Sequence, residues 1–323
     1  MRLLLAVDSI TTLGILLNEI SARSWPNGTE ARVLSIVEDG EVPLETWRGH
    51  GYGIAAVRHE MRRRGEQITA LALNRLRAVG IQTEVTVTRG NPDFLISFMA
   101  EKWSADLIFI RAHNRTDFRN WMLGSVAKRV VNNAPCSVEI VRSTGDTSPF
   151  AINRPMRILL ATDGSDVSLV ASEAVAETTW PADTEMKVVS LINPMIYSLE
   201  EIGFFRSKRT DWAHCAIGDS INVLKGTPFK ITGEVIAGRT ARRIIDRAKN
   251  WHADLIVLGT HQRRGLKRLL WGSTAAAVAN RAHCSVRVIH SRRVSHSESL
   301  DRSQRSRKIQ LIAYKSLGLR KAA

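Results

Sequence analysis

The same signposts occur twice in this chain, at a constant separation of 148 positions. They are Gly90 and Gly238, Trp103 and Trp251, Ala105-Asp-Leu-Ile108 and Ala253-Asp-Leu-Ile256, His113 and His261, Gly124-Ser125 and Gly272-Ser273, and Cys136-Ser-Val138 and Cys284-Ser-Val286. Nearer the start of each copy, Leu4-Leu-Ala-Val-Asp8 matches Leu159-Leu-Ala-Thr-Asp163 at a separation of 155, so the two copies differ by seven residues in the middle, the first being the longer. Coincidence does not supply that many matches in register, and the chain is read as one fold built twice. Its 323 residues suit two domains at about 100–200 residues each. The expected organisation is a first repeat over 1–142, a Gly/Ser/Thr/Pro-rich linker over 143–154, a second repeat over 155–290 and a basic, disordered tail over 291–323.

Each copy alternates short apolar runs with longer amphipathic ones. In the second, the pattern predicts strands at Arg157–Ala161, Lys187–Ile192, Lys230–Ile236, Leu255–Leu258 and Ser285–Ile289. Helices are predicted near Val167–Thr178, Thr240–Trp251 and Ser273–Arg281, while Ile196–Val223 lacks a clean period and is read as a helix or lid. Buried strands spaced by helical crossovers imply an α/β fold with two tandem doubly wound, Rossmann-like parallel sheets. Ligands of such sheets sit beyond the carboxyl ends of the strands. Asp163 and the stretch from Gly259 to Thr274 fall at that edge. There an apolar strand runs into a glycine, the basic loop Arg263-Arg-Gly-Leu-Lys-Arg268 follows, and Gly272-Ser273 opens a helix whose first N–H groups lack intrahelical partners. This is the pattern of a phosphate cradle.

The arrangement resembles the universal stress protein family in its tandem form. At the fourth strand that family shows Gly, two residues, Gly, nine residues, Gly, then Ser or Thr. Here the run is Gly259, Thr260-His261, Gln262 in place of the second glycine, nine residues, then Gly272-Ser273. The resemblance extends to Ala161-Thr-Asp163-Gly-Ser165 and to Cys284-Ser-Val-Arg-Val-Ile289, and it covers about 1–142 and 155–290. It implies an adenine-nucleotide-binding protein of the stress response. The ligand would be ATP or a related nucleotide, with magnesium as an optional companion ion. It also implies that Ala161, Asp163 and Leu191 meet the adenosine part, and that Gly259, Gln262, Arg263, Gly272, Ser273 and Thr274 hold ribose and phosphates. The chemistry agrees: glycines permit close backbone approach, Ser273 can cap the helix and donate to a phosphate oxygen, and the loop cations add positive field. Gln262 costs on the order of 1 kcal/mol if that position needs a positive φ.

In the first repeat the equivalent positions are Asp8, Ile36, Arg111, Asn114, Gly124 and Ser125, so two of the three glycine positions are filled by other residues. A weakened or empty site is expected there; the opposing reading has Arg111 pairing with a phosphate in place of backbone contacts. Several residues also have plain structural readings. Asp8 and Asp163 can cap the helices that follow. Asp106 and Asp254 precede the fourth strands and face away from the ligand edge, Trp103 and Trp251 plug the helix–sheet interface, and Cys136 and Cys284 are small buried apolar residues. His113 and His261 have no neighbouring carboxylate in sequence and are read as structural, so no catalytic residue and no metal ligand is assigned.

The last strands, Cys136-Ser-Val-Glu-Ile-Val141 and Cys284-Ser-Val-Arg-Val-Ile289, alternate in polarity as edge strands do. The family resemblance implies pairing through this strand. The two repeats are therefore expected to form an intramolecular pseudo-dimer with Glu139 facing Arg287, and a further homodimer of chains stays open. Three cysteines without a Cys-x-x-Cys pair argue against a disulfide framework and fit a reducing cytoplasm. Asp8 cuts the opening apolar run short of a signal peptide, and no apolar stretch reaches the ~18 residues a membrane span needs. Of the net charge of +15, the tail holds nine Lys or Arg against Glu298 and Asp301. Two alternatives to a nucleotide-binding regulatory module remain: an adenylating or slowly ATP-hydrolysing enzyme, and a nucleotide-free scaffold whose tail binds nucleic acid, an acidic partner or an anionic surface.

Overall fold

Alternation of period two explains why the strands are buried on both faces. In β1 (Arg2–Val7), Leu4 points to one side while Leu3 and Leu5 point to the other, and all three are fully buried. The computed structural model describes residues 1–38, 54–112, 123–142, 155–192, 202–260 and 272–290. After β1 the first repeat runs α1 (Ile10–Ser21), β2 (Glu30–Val37), α2 (Ile54–Ala78), β3 (Gln82–Arg89), α3 (Pro92–Lys102), β4 (Leu107–Arg111), α4 (Ser125–Asn133) and β5 (Ser137–Val141). The second runs β6 (Arg157–Thr162), α5 (Asp166–Ala176), β7 (Glu185–Ile192), α6 (Ile202–Val223), β8 (Lys230–Ala237), α7 (Thr240–Asn250), β9 (Leu255–Thr260), α8 (Ser273–Arg281) and β10 (Ser285–His290).

The ten described strands form one sheet in the order β3-β2-β1-β4-β5-β10-β9-β6-β7-β8. Every pairing is parallel except the central one, where β5 and β10 run antiparallel with Glu139 opposite Arg287. The expected pairing of the two repeats through their last strands is therefore present, and Met1–His290 make one compact unit. One face of the sheet carries a single continuous core beneath α3, α4, α7 and α8, which includes Leu4, Val138, Ile140, Val286, Val288 and Leu159. The opposite face carries two separate cores, one under α1 and α2 and one under α5 and α6.

Glu139 and Arg287 lie between those two cores. The Nε of Arg287 donates to Glu139 Oε2 at 2.6 Å, and Arg23, just past α1, donates from both terminal nitrogens to the two carboxylate oxygens at 2.9 and 2.7 Å. Arg23 also pairs with Glu19, and the faces of both guanidiniums meet the Trp180 ring, at 4.8 and 5.3 Å from its centroid. The two guanidiniums overcome the desolvation of Glu139 and hold its carboxyl down at about 2, whereas desolvation pushes that of Glu19 up. Hydroxyls stitch the strand ends: the Arg142 N–H donates to Ser285 Oγ at 3.1 Å, and the His290 N–H donates to Ser137 Oγ at 3.2 Å.

The signposts that recur in both repeats have mechanical roles. Asp106 accepts the Arg2 N–H at 2.7 Å and Asp254 accepts the Arg157 N–H at 2.9 Å, so each aspartate pins the first strand of its repeat at the end away from the ligand edge. Trp103 and Trp251 stand one residue past α3 and α7 and pack against the continuous core. Each is followed by a residue in the left-handed region, Ser104 (φ 51) and His252 (φ 54). The Ala105 and Ala253 N–H groups then close the helix ends on Ala100 and Ala248 carbonyls at 2.8 Å. Cys136 and Cys284 are buried, and burial pushes the Cys284 thiol up to about 12. No helix among the described residues is long and apolar enough to cross a membrane.

The His290 imidazole, at the end of β10, is held down to about 4 by burial, against 6.5 for an exposed histidine. The unfolded chain therefore binds this proton first. The contribution of His290 is complete above pH 6.5 and falls away on acidification towards pH 4, by on the order of 3 kcal/mol at 1.36 kcal/mol per unit. In urea unfolding at a series of pH values, His290→Gln should flatten this part of the stability profile; an unchanged slope between pH 6.5 and 4 refutes the assignment.

Candidate functional site

In the second repeat β6 lies between β7 and β9, so the chain leaves it towards opposite sides of the sheet at this point. A crevice forms at such a reversal, beyond the carboxyl ends of the strands. Around it the structure gathers Ala161 and Asp163 at the end of β6, Leu191 in β7, Gly259 in β9, and Gly272, Ser273 and Thr274 at the start of α8. Gln262 and Arg263 lie outside the described residues, as do His261 and the rest of the loop up to Trp271.

The wall on the β6 side is a sharp turn. Ala161 is buried in the continuous core, against which the half-buried Leu191 packs, so together they supply an apolar floor. Asp163 is exposed, and its Oδ1 accepts the Ser165 N–H at 3.0 Å and the Ser165 hydroxyl at 2.6 Å. Ser165, and not Asp163, is the N-cap of α5, accepting the Ser168 N–H. Likewise Ser9 caps α1, with Asp8 accepting the Thr12 hydroxyl at 2.5 Å. The capping role considered for the two aspartates thus belongs to the serines that follow them. Between Asp163 and Ser165, Gly164 adopts φ +76, and a Cβ there would lie 3.1 Å from the Ala216 side chain. This contact shows where the ambiguous segment went: α6 packs across the turn, and its half-exposed Trp212 donates from Nε1 to the Asp163 carbonyl at 3.2 Å.

On the β9 side the two glycines have different duties. A Cβ on Gly259 would stand 2.5 Å from the Val167 carbonyl oxygen, so the missing side chain admits the first turn of α5 against β9. Gly259 has no positive φ and serves packing within the protein. Gly272 (φ −56) is the N-cap of α8 and lies exposed; among the described residues Thr260 Oγ1 is the only near neighbour of an added Cβ, at 4.0 Å. Ser273 is therefore the first helical residue and not the cap. The Gly272 N–H donates to Thr260 Oγ1 at 3.1 Å, which ties the helix start to the strand end. Sequence reasoning passed over Thr260; a hydroxyl at the end of the fourth strand, matched by Ala112 in the first repeat, was the available signal.

Among the described residues no side chain caps α8, and no acid stands in its first turn. The Ala276 N–H donates to the Gly272 carbonyl, and the amides of Ser273, Thr274 and Ala275, being the first of the helix, have no partner within it. With the partial positive charge of the helix end, these donors and the exposed Ser273 hydroxyl are suited to an anion.

The first repeat keeps half of this arrangement. Gly124 caps α4 without a side-chain bond and Ser125 follows it, while Ile36 is half-buried against the continuous core. Arg111, half-buried, ends β4 where the second repeat has Gly259. Unlike Gly259, it brings a side chain to that strand end. Asn114 lies outside the described residues.

The model of the Universal stress protein family matches residues 1–142 and 155–290. A universal stress protein of Methanocaldococcus jannaschii is 31% identical over 140 residues, covering 41% of this chain and 81% of that protein. One from Mycobacterium bovis is 25% identical over 188 residues, covering 56% of this chain and 61% of its own length. The crystal structure of a universal stress protein from Archaeoglobus fulgidus superimposes with a TM-score of 0.59 at 17% identity, over 90% of this chain and 96% of that one. With both repeats matched and the tandem α/β sheet shared, this chain belongs to the universal stress protein family.

Proposed function

We propose that the second repeat binds an adenine nucleotide, ATP or a close relative, and that the chain acts as a cytoplasmic regulatory module of the stress response. The observation that carries this reading is the uncapped start of α8, facing the crevice between β6 and β9. The phosphates would take the Ser273, Thr274 and Ala275 amides and the Ser273 hydroxyl, with Gln262 and Arg263 contributing from the loop. Ribose would lie against the Gly259–Thr260 strand end and the Asp163 carboxylate, and adenine over Ala161 and Leu191. A magnesium ion would accompany the phosphates and has no assigned protein ligand. The first repeat, with Arg111 and Ala112 at the strand end, would bind the same ligand weakly or leave its crevice empty. None of the three cysteines is in a disulfide, which suits a reducing compartment.

Calorimetry with ATP, ADP and AMP tests the reading, with thermal stabilisation on binding as a second measure. Product analysis after incubation separates plain binding from ADP-forming hydrolysis and from pyrophosphate-forming adenylation. No heat and no shift with any adenylate in folded protein would end the proposal.

The two glycines make a paired prediction. Gly272→Val adopts a permitted backbone region and meets no close neighbour among the described residues, so its melting midpoint should match the parent while nucleotide affinity falls at least about tenfold, or about 1.4 kcal/mol. Gly259→Ala drives a methyl into the Val167 carbonyl and should lose about 1–3 kcal/mol of stability in urea unfolding. Equal behaviour of the two variants would contradict the division of roles between them.

A further inference from the structure

Glu139 and Arg287 occupy the same place in their repeats, and they are also each other's cross-strand partners. The local two-fold relation between β5 and β10 therefore passes between these two side chains. If two β5 strands paired in this register, Glu139 would face Glu139; two β10 strands would set Arg287 against Arg287. Both side chains are buried, Glu139 fully and Arg287 at 1% exposure, so neither repulsion would be screened by water.

The surrounding charges sharpen the asymmetry. The first repeat brings Glu19 and Arg23 to the seam, and at the separation of 155 that matches Trp25 to Trp180 the second repeat has Ala174 and Thr178. The mixed seam thus holds two carboxylates and two guanidiniums. A seam of two second repeats would hold two guanidiniums and no acid, and one of two first repeats would carry one acid in excess per copy. In the mixed seam Arg23 takes both oxygens of Glu139, Arg287 shares one of them and also donates to Thr178 Oγ1 at 3.4 Å, and Trp180 presents its ring to both cations.

We propose that this buried cluster is a pairing code: the β5 edge accepts only an edge strand that brings a cation to the position of Arg287, which this chain supplies from its own β10. Like edges of two copies are rejected, and so is a related strand that is apolar at that position, because either leaves Glu139 or Arg287 buried without its counter-charge. The selectivity is independent of nucleotide binding.

Full-length variants test it. Glu139→Arg and Arg287→Glu should each lower the melting midpoint by about 10 °C, the scale of breaking a buried ion pair in a unit of this size. The exchange Glu139→Arg/Arg287→Glu, which restores opposite charges across the seam, should regain at least about half of that loss. An exchange variant that melts no higher than the less stable single variant overturns the proposal. Should the single variants fail to fold, refolding the two together probes the same selectivity. The all-Arg seam of one chain then fits the all-Glu seam of the other, and a 1:1 assembly of two chains supports the code, whereas no recovery overturns it.

Discussion

A parallel five-stranded sheet that ends in an unpaired strand exposes a row of N–H and C=O groups, and here two such rows are closed against each other by the antiparallel pairing of β5 and β10. Much else in the molecule depends on that closure. It joins Val138 and Ile140 to Val286 and Val288 in one core beneath α3, α4, α7 and α8, and among the described strands it leaves β3 and β8 as the sheet edges. It also reaches the candidate site. The Arg142 guanidinium, from the first repeat, donates to the carbonyls of Ala279 and Cys284 at the far end of α8, and Asn280 accepts the Leu123 N–H at 3.1 Å. The helix whose start faces the second crevice is therefore gripped at its finish by the other repeat.

The code at the seam costs something in return. A buried ion pair is seldom worth more than well-packed apolar residues of the same volume. Two guanidiniums and two carboxylates between the α1–α2 and α5–α6 cores thus forgo stability that a Leu or Val pair would have provided. What they supply is selectivity, since an apolar antiparallel edge would match its own copy as well as its neighbour. Trp180 eases the arrangement: its ring faces both cations, while its N–H is satisfied by the Val175 carbonyl at 2.9 Å.

Much of this was legible in the sequence because it rests on period and repetition. Matched positions at constant spacing revealed the duplication, apolar runs located all five strands of the second repeat to within two residues, and the alternation of Cys136–Val141 and Cys284–Ile289 exposed the edge that pairs, with Glu139 facing Arg287. What escaped was whatever depends on backbone angles or on distance in space. Whether Asp163 or Ser165 caps α5, and whether Gly272 or Ser273 caps α8, turns on a single residue leaving the helical region. Composition cannot see that, because each of these residues caps well. The duty of Gly259 could not be read without knowing that the Val167 backbone lies beside it. Arg23 and Trp180 join the seam from connections remote in sequence, and α6 was obscured because one side of it faces the Gly164 turn while Trp212 remains half-exposed.

The divergence of the two crevices can be traced to the ends of β4 and β9. Both helices that open beyond these strands begin with an uncapped glycine, so the anion-facing feature is common to both repeats. The strand ends differ: Gly259-Thr260 admits the backbone of α5 and ties down the Gly272 amide, whereas Arg111-Ala112 carries a long cationic side chain and has no hydroxyl to offer. The turn after the first strand follows suit. Gly164, at φ +76, separates Asp163 from its capping serine in the second repeat, while in the first Asp8 and Ser9 are adjacent. A glycine in the left-handed region and a glycine beneath a carbonyl together bring α5, Asp163 and β9 into one wall. The first repeat has neither glycine yet keeps the glycine-opened helix, so the two repeats share the helix start and differ in what stands beside it.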